Sequence, residues 1–311
     1  MTPNHSLRSG SGQASSARAG TLYVVATPIG NLEDITLRAL RVLNDVDLIA
    51  CEDTRHTRGL LTRHAIRTPV VSYHEHNESR RTPELIDRLE RGESVALVAD
   101  AGTPLLSDPG AILLAAAAAR GLSVVSIPGP SAVTAALAVA GFPADRFVFC
   151  GFLARRSAER RRALEALSTL PYTLVFFEAP HRIGKTLADL HAVLGSRPAA
   201  IVRELTKRFE EVLRGDLAGV IEQMSGRTPR GEFTIVVAGA GAQGMGPRRG
   251  GAGSIQPTDE AVRAHLETLL AGGVGPTAAA KIIARAHNVP RRTAYRLALQ
   301  LRNQEPGTRE V

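Results

Sequence analysis

The sequence has few aromatic residues and little cysteine. Among 311 residues it has no tryptophan, 4% aromatic residues and two cysteines. This small number of aromatic rings argues against a nucleic-acid surface built on base stacking. Phosphate contacts would therefore have to supply the affinity for a nucleic acid. Cys51 and Cys150 both lie in apolar surroundings. We predict reduced core thiols rather than a disulfide, which favours a cytoplasmic protein.

Long apolar runs are also missing. The alanine-rich run over residues 111–119 is too short for a membrane span and is cut by Arg120. Residues 1–20 are rich in serine, glycine and alanine and lack the apolar middle of a signal peptide, which predicts a disordered tail. Acidic residues are fewer than basic ones: the net charge is +8 and the isoelectric point is about 10.3. This balance favours a polyanionic partner.

Several familiar site motifs are missing too. No G-x-G-x-x-G follows the first apolar run, which disfavours a dinucleotide site. The segment 184–186 ends like a Walker A loop, but Ala179 stands where that loop needs its first glycine. No G-x-S-x-G surrounds Ser131. His74 and His76 do not have the i, i+4 spacing of helical metal ligands, so we predict no metal site.

What the sequence does contain is three glycine- and proline-rich turns that each follow a short apolar run. They occupy residues 27–31, 100–104 and 128–132. The runs are rich in β-branched residues, which is typical of buried strands in a parallel sheet. Ligands of such sheets bind beyond the carboxyl ends of the strands. The pattern therefore predicts a pocket that holds a small, partly polar molecule largely through main chain.

Strand and helix signals alternate along most of the chain, which predicts an α/β fold. We predict helices over 32–43 and over 83–91, the latter with Pro83 in its first turn. The predicted organisation is a tail over 1–20, an α/β domain over 21–140, a second α/β domain over 141–240, a glycine-rich linker over 241–257 and a basic helical unit over 258–303. Two short helices in the last unit resemble a helix-turn-helix.

Charged clusters follow three of the predicted strands, at residues 52–56, 74–77 and 203–207. Helix capping by Asp53 or Thr54, and pairing of Glu204 with a neighbouring cation, would explain some of these charges. Several clusters at one sheet edge exceed what capping requires. They favour a functional cleft.

The order of the motifs along the chain resembles that of a known protein family. TPIGN, EDTRHT, HEHN, DAGTP, SDPG, PGPSA, EAPHR and RELTK, followed by HNVPRRTAYRLAL, resemble the ribosomal-RNA-methylating members of the tetrapyrrole methylase superfamily over about residues 22–301. The serine-rich start and the glycine-rich stretch over 241–253 depart from the pattern without touching a motif.

The resemblance implies S-adenosyl-L-methionine as methyl donor, bound in a cleft between two α/β domains. It also implies transfer to the 2′-hydroxyl of a cytidine in the decoding region of 16S rRNA within the small ribosomal subunit, by a homodimer. By motif position, the donor-binding residues are Pro28, Asp100, Ala101, Gly102, Ser131, Ala132, Phe177, Leu205 and Thr234. Asp100 has two interpretations, a hydrogen bond to the donor amine or ribose, and a turn cap.

For the chemistry, a 2′-hydroxyl needs an in-line approach to the methyl group and a base or water that accepts its proton. The candidate catalytic residues are Lys207, provided that the cleft lowers its pKa, and Glu204 or Asp53 as proton acceptor or orienting group. The candidate RNA-binding residues are Arg55, His76, Asn77, Arg203, Lys281, Arg285, Arg291 and Arg292.

Two other functions stay open at the level of sequence. A carboxyl-rich tetrapyrrole would also suit a basic cleft, and members of the same superfamily methylate carbon atoms of such substrates. The basic tail and the EDTRHT, HEHN and RELTK clusters favour RNA over a small substrate. A non-catalytic RNA-binding protein that uses the cleft as a sensor is the alternative from another class.

Overall fold

A computed structural model describes residues 19–242, 259–272, 274–286 and 291–302. The predicted tail lies outside this part except for residues 19 and 20, and so does the predicted linker except for residues 241 and 242. Contacts divide the chain into two compact units, Met1–Pro247 and Arg248–Val311. Within the described ranges no helix has the length and apolar character needed to cross a lipid bilayer.

The first sheet of the larger unit is entirely parallel, as predicted. Its strands run in the order β3-β2-β4-β1-β5. In chain order the elements are β1 (Thr21–Val25), α1 (Leu37–Asp45), β2 (Leu48–Cys51), α2 (Thr54–Arg63), β3 (Val70–Ser72), α3 (Glu78–Glu90), β4 (Val95–Val98), α4 (Ala111–Ala119), β5 (Ser123–Ile127) and α5 (Ala132–Ala140). Strands β1, β2 and β4 are buried on both faces because helices pack on either side.

The second sheet is mixed, with the order β6-β7-β10-β8-β9. Its elements are β6 (Phe147–Phe152), α6 (Ser157–Leu167), β7 (Thr173–Glu178), α7 (Ile183–Leu194), β8 (Pro198–Arg203), β9 (Glu211–Asp216), α8 (Leu217–Met224) and β10 (Phe233–Val237). Strand β6 pairs in parallel with β7, whereas β10 is antiparallel to both β7 and β8. Helix α5 joins the two halves, because Val133 and Ala136 pack against Val175 and Val236 of the second sheet.

Three local predictions from the sequence are wrong. Residues 32–43 do not form one helix: a short 3-10 turn over Leu32–Asp34 comes first, and the Thr36 side chain then caps α1 by accepting from the Ala39 N–H. Helix α3 begins at Glu78, so Pro83 lies inside it rather than in its first turn. Strand β5 is an edge strand, and Val124 is 40% exposed rather than buried.

The smaller unit contains three described helices, α9 (Asp259–Ala271), α10 (Pro276–Ala286) and α11 (Arg291–Arg302). Small and branched side chains close its core, with Leu266, Ala279, Ile283 and Ala298 fully buried. Alanine at two of these contacts lets the helices approach closely. The tight turn predicted at Asn288 and Val289 lies outside the described residues.

Candidate active site

The larger unit contains a cavity of about 400 Å³ between the two sheets. This volume is in the range of small-molecule sites. Its wall comes from the loop after β4, the start of α5, the turn after β7 and the beginning of β10. Eight of the nine predicted donor-binding residues line it: Asp100, Ala101, Gly102, Ser131, Ala132, Phe177, Leu205 and Thr234. Pro28 does not; it borders a much smaller hollow beside Asp100.

Backbone groups hold the loops of the first sheet together. Thr27 and Gly102 exchange two backbone hydrogen bonds of 2.9 and 3.0 Å, and the Thr27 hydroxyl donates to the Ala99 carbonyl. The Thr103 hydroxyl donates to the Pro130 carbonyl at 3.2 Å. Gly102 has φ of +81°, a conformation that glycine adopts without strain. The predicted main-chain pocket therefore has a rigid frame.

The wall after β4 contains a strained loop. Leu105 and Ser107 have φ of 77° and 75°, which costs non-glycine residues about 1 kcal/mol or more each. Gly110 has φ of 132°, and a Cβ there would lie 2.7 Å from a methyl carbon of Leu97. A Cβ at Gly151 in β6 would lie 3.0 Å from the Ser107 hydroxyl, so the loop lies directly against the second sheet. This course brings Asp108 to the cavity wall.

Asp108 is the most perturbed carboxyl group in this region. Burial, followed by the nearby charges of Glu52 and Asp100, raises the pKa of Asp108 to about 7. Burial and the charges of Asp100 and Glu75 also raise the pKa of Glu52 at the end of β2. The Asp100 carboxylate accepts a 2.9 Å hydrogen bond from the Asp53 backbone N–H, which links the loops after β2 and β4. Sequence reasoning missed Asp108, although it belongs to the quoted SDPG motif.

The RELTK loop contacts the first glycine-rich turn. A Cβ on Gly30 would lie 2.4 Å from Cγ of Lys207 and 2.9 Å from the Leu205 carbonyl oxygen. Glu204 and Thr206 have φ of 51° and 63°, so this loop is strained as well. Nζ of Lys207 donates to Glu204 and to Glu232, both at 3.0 Å.

The structure contradicts the condition set for Lys207 as a base. Burial alone would lower the pKa of Lys207, but the hydrogen bonds and charges of Glu232 and Glu204 outweigh it and the pKa is raised. Burial would raise the pKa of Glu204, but the same lysine, the Glu232 N–H and Arg203 hold it below its usual value. Glu204 and Lys207 therefore neutralise each other, and neither is poised to accept a proton near neutral pH.

Asp53 is the third predicted catalytic residue, and its geometry is that of a helix cap. It accepts from the backbone N–H of Arg55 at 2.7 Å, and the Arg55 guanidinium pairs with it at 2.9 Å. These hydrogen bonds lower the pKa of Asp53 to about 2, which makes it a weak base. The Arg55 side chain is 87% exposed, so its other N–H groups remain available to a partner.

The remaining predicted RNA-binding residues have different surroundings. Asn77 is engaged in its own turn, where it accepts from the His74 N–H and donates to the Ser72 carbonyl. His76 is exposed and lies 3.3 Å from Glu75, and Arg203 lies 3.5 Å from Glu211. Lys281 and Arg292 are exposed on the smaller unit. The side chains of Arg285 and Arg291 lie outside the described residues.

A buried carboxylate that the sequence did not reveal shapes the turn after β7. Glu178 is 2% exposed, accepts from the Ala179 N–H and the Thr186 hydroxyl, and forms an ion pair with the Arg182 guanidinium. Arg182 also donates to the Leu153 carbonyl at the end of β6. The EAPHR motif thus fixes one wall of the cavity. Within the described ranges, no three metal-binding side chains are grouped so as to hold an ion.

Comparison with known proteins identifies the class of this fold and site. The profile of the Tetrapyrrole (Corrin/Porphyrin) Methylases matches residues 21–221. A crystal structure of diphthine synthase superposes with a TM-score of 0.55 at 18% identity, over 71% of this chain and 90% of that one. A Thermus thermophilus uroporphyrin-III C-methyltransferase complexed with S-adenosylhomocysteine superposes with a TM-score of 0.50 at 19% identity, over 70% and 97%. The chain belongs to the tetrapyrrole methylases, which take their methyl group from S-adenosylmethionine.

Closer relatives narrow this assignment. The ribosomal RNA small subunit methyltransferase I of Synechocystis sp. is 44% identical over 283 residues, which cover 91% of this chain and 98% of the relative. Within the tetrapyrrole methylases, the chain belongs to the ribosomal RNA small subunit methyltransferase I family.

Proposed function

We propose that this enzyme transfers the methyl group of S-adenosylmethionine to the ribose 2′-hydroxyl of a cytidine in the decoding region of 16S rRNA. The substrate is small-subunit rRNA in the bacterial cytoplasm, and the active form is a homodimer. The observation that carries the proposal is the cavity itself, because residues of the DAGTP, PGPSA, EAPHR and RELTK motifs all line it. Relatives that are 44% identical over about nine-tenths of the chain are named for rRNA methylation.

The cavity suits the donor by its mixture of surfaces. Apolar side chains such as Ile29, Val202 and Phe233 line part of it and can contact an adenine face. Backbone groups of residues 100–103, together with the Ser131 hydroxyl, offer hydrogen-bonding partners to the ribose and the amino acid moiety. We assign donor binding to the eight cavity residues and RNA contact to the exposed cations Arg55, Lys281 and Arg292.

Methyl transfer from a sulfonium needs neither a metal nor a covalent enzyme intermediate. The hydroxyl oxygen bonds to the methyl carbon, the carbon–sulfur bond breaks to leave a neutral thioether, and the hydroxyl proton passes to a base or to water. Much of the acceleration comes from holding the two reactants in line. Hydrogen bonds between the loops of this site provide the fixed geometry that such positioning requires.

The direct test gives tritiated donor to the full-length enzyme with three acceptors: unmodified small ribosomal subunits, large subunits and uroporphyrinogen III. We expect label only in small-subunit rRNA, and nuclease digestion should release it as 2′-O-methylcytidine. Label in uroporphyrinogen would favour carbon methylation instead. Donor binding without transfer to any acceptor would favour a sensor.

Two glycine variants test whether the cavity binds the donor. Gly102 and Gly121 both have positive φ, so alanine strains the backbone at either position. Only Gly102 lines the cavity, and a Cβ on Gly121 would meet nothing within 4 Å. We expect Gly102→Ala to weaken binding of S-adenosylhomocysteine, measured by calorimetry, about tenfold or more. Gly121→Ala should leave it unchanged; equal affinities for all three proteins would refute this cavity as the donor site.

A further inference from the structure

We propose that Asp108 is the catalytic residue that accepts the proton of the ribose hydroxyl during methyl transfer. This inference rests on the proposed 2′-hydroxyl acceptor and names the group that completes the reaction.

Four carboxyl side chains line the cavity in the described part of the chain: Asp100, Asp108, Glu178 and Glu232. Three of them have partners. Asp100 accepts from the Asp53 N–H and Glu232 from Lys207, while Glu178 accepts from Ala179 and Thr186 and pairs with Arg182. Asp108 alone among the four has no hydrogen bond or ion pair within the described residues. A proton acceptor must have a free oxygen that faces the reactant. Both oxygens of Asp108 are free in the described part of the chain, whereas one oxygen of Asp100 and one of Glu232 are already engaged.

The surroundings of Asp108 also favour proton transfer. The groups that face it and carry charge are Glu52, at the end of β2, and Asp100, after β4. Burial and these two like charges penalise the ionised form, which is why the pKa of Asp108 is about 7. A base whose pKa lies close to the working pH is both ionised in part and strong enough to take a proton.

The position of Asp108 depends on backbone strain, which is common where geometry serves function. Leu105 and Ser107 adopt left-handed φ angles on either side of Leu106, and Gly110 follows with φ of 132°. The same loop lies against Gly151 of β6. The strained conformation of this loop places the partly desolvated, unpaired carboxyl group of Asp108 at the cavity.

The 2′-oxygen forms a bond to the methyl carbon while the carbon–sulfur bond breaks and its electron pair returns to sulfur. The hydroxyl proton passes to a carboxylate oxygen of Asp108, which becomes neutral. Release of that proton to water after the product leaves restores the carboxylate.

An alternative is that Asp108 binds the ammonium group of the donor, as a carboxylate in this cavity can. The two roles differ in their effects. A proton acceptor affects the rate of the bound complex and its pH dependence. An ammonium ligand affects the affinity for donor and product and leaves the pH limb of the bound complex in place.

The experiment measures single-turnover methylation of small subunits at saturating donor from pH 5.5 to 8.5. We expect the wild-type rate to rise with pH and level off above about pH 7. Asp108→Asn should lower the plateau about 100-fold, within the range for general-base assistance, and abolish the rise. Its affinity for S-adenosylhomocysteine should stay within threefold of the wild type. Asp87→Asn, the same change on an exposed position of α3, is the matched control and should behave as wild type.

Several outcomes would overturn the assignment: a plateau within threefold of wild type in Asp108→Asn, a rate lost only through weaker donor binding, or a flat wild-type profile. If Asp108→Asn does not fold, Asp108→Glu decides, since it should keep the pH-dependent rise at a reduced plateau. The activity of the wild-type enzyme distinguishes a failure of this inference from a failure of the proposed function. Wild-type enzyme that makes no 2′-O-methylcytidine refutes the proposed function, whereas an active wild type with an equally active Asp108→Asn refutes only the role of Asp108.

Discussion

The backbone N–H of Asn31 donates a hydrogen bond of 3.0 Å to the hydroxyl oxygen of Thr206, across 175 residues of chain. Next to this bond, the Gly30 backbone lies so close to Lys207 and Leu205 that no side chain fits between them. The first glycine-rich turn and the RELTK loop therefore form one joint. Ile29 and Leu205, which lie next to this contact in sequence, both line the cavity, so the shape of the donor site depends on it.

We expect Gly30→Ala to destabilise the enzyme by about 1–3 kcal/mol, since the new Cβ would overlap Cγ of Lys207 and the Leu205 carbonyl oxygen. Affinity for S-adenosylhomocysteine should fall as the joint opens. Chemical unfolding and calorimetry measure the two effects. The matched control is Gly59→Ala within α2, where a Cβ meets nothing within 4 Å. That change should stabilise by about 0.5–1 kcal/mol through helix propensity, and an equally stable Gly30→Ala would show that the joint tolerates a side chain.

Glu178 should be far more important to stability than an exposed ion pair. Glu178→Gln replaces a buried carboxylate that accepts two hydrogen bonds, and it leaves Arg182 without its charged partner, so we expect a loss of about 3–5 kcal/mol. Glu84→Gln breaks the pair with Arg81 on the solvent-facing side of α3 and should cost far less. Urea unfolding of both variants decides the comparison; similar losses would mean that the turn after β7 is held by other contacts.

The sequence predicted the pocket frame well because short-range rules apply there. Apolar runs that end in glycine and proline have few alternatives to buried strands, so β1 and β4 and the loops after them were correctly placed. Strand β9, with the sequence EVLRGD, was missed because its ends are charged and no apolar run marks it. It forms because β8 offers it a partner edge, a long-range effect that local patterns do not contain.

The candidate bases show the limit of sequence more clearly. Charged residues after strands drew attention to Lys207, Glu204 and Asp53, yet all three are paired in the structure. Whether a charged group has a partner depends on residues distant in sequence, as Glu232 is from Lys207. The sequence did not predict a role for Asp108, because its raised pKa results from burial in the folded structure and not from a sequence pattern. The pKa of a group is a property of its surroundings.

Lys207 offers a direct test of this point. Because its pKa is raised, the side chain stays a cation that holds Glu204 and Glu232 together. We expect Lys207→Ala to retain the pH-dependent rise in single-turnover rate, with both substrates saturating and a plateau reduced less than tenfold. Lys185→Ala, on an exposed position of α7, is the control. Loss of the rise in Lys207→Ala alone would make the lysine the proton acceptor.

Asp108→Asn should be more stable than the wild type above neutral pH. The folded pKa of about 7 lies above the usual value near 4, so folded Asp108 binds more protons than unfolded Asp108 between these values. Stability from this group is therefore full below about pH 4 and declines as the pH rises to about 7. Each unit of difference between the folded and unfolded pKa values corresponds to about 1.4 kcal/mol of unfolding free energy, and water at the cavity face reduces this effect. We therefore expect Asp108→Asn to be more stable than the wild type by about 1–2 kcal/mol at pH 8 and by almost nothing at pH 4. Unfolding at both pH values measures this; an equal gain at both would mean that the carboxyl group is not desolvated.

The smaller unit gives a prediction about RNA affinity. Lys281 and Arg292 are exposed cations on α10 and α11, and each phosphate contact releases counterions when it forms. We expect alanine at either position to weaken binding to small-subunit RNA and to reduce the slope of log affinity against log salt by about 0.7–0.9 per lost contact. Gln300→Ala, a neutral exposed position on α11, should change neither quantity. Weaker binding with an unchanged salt slope would show that these cations act through folding of the unit rather than through phosphate, because only an ionic contact makes affinity more sensitive to salt.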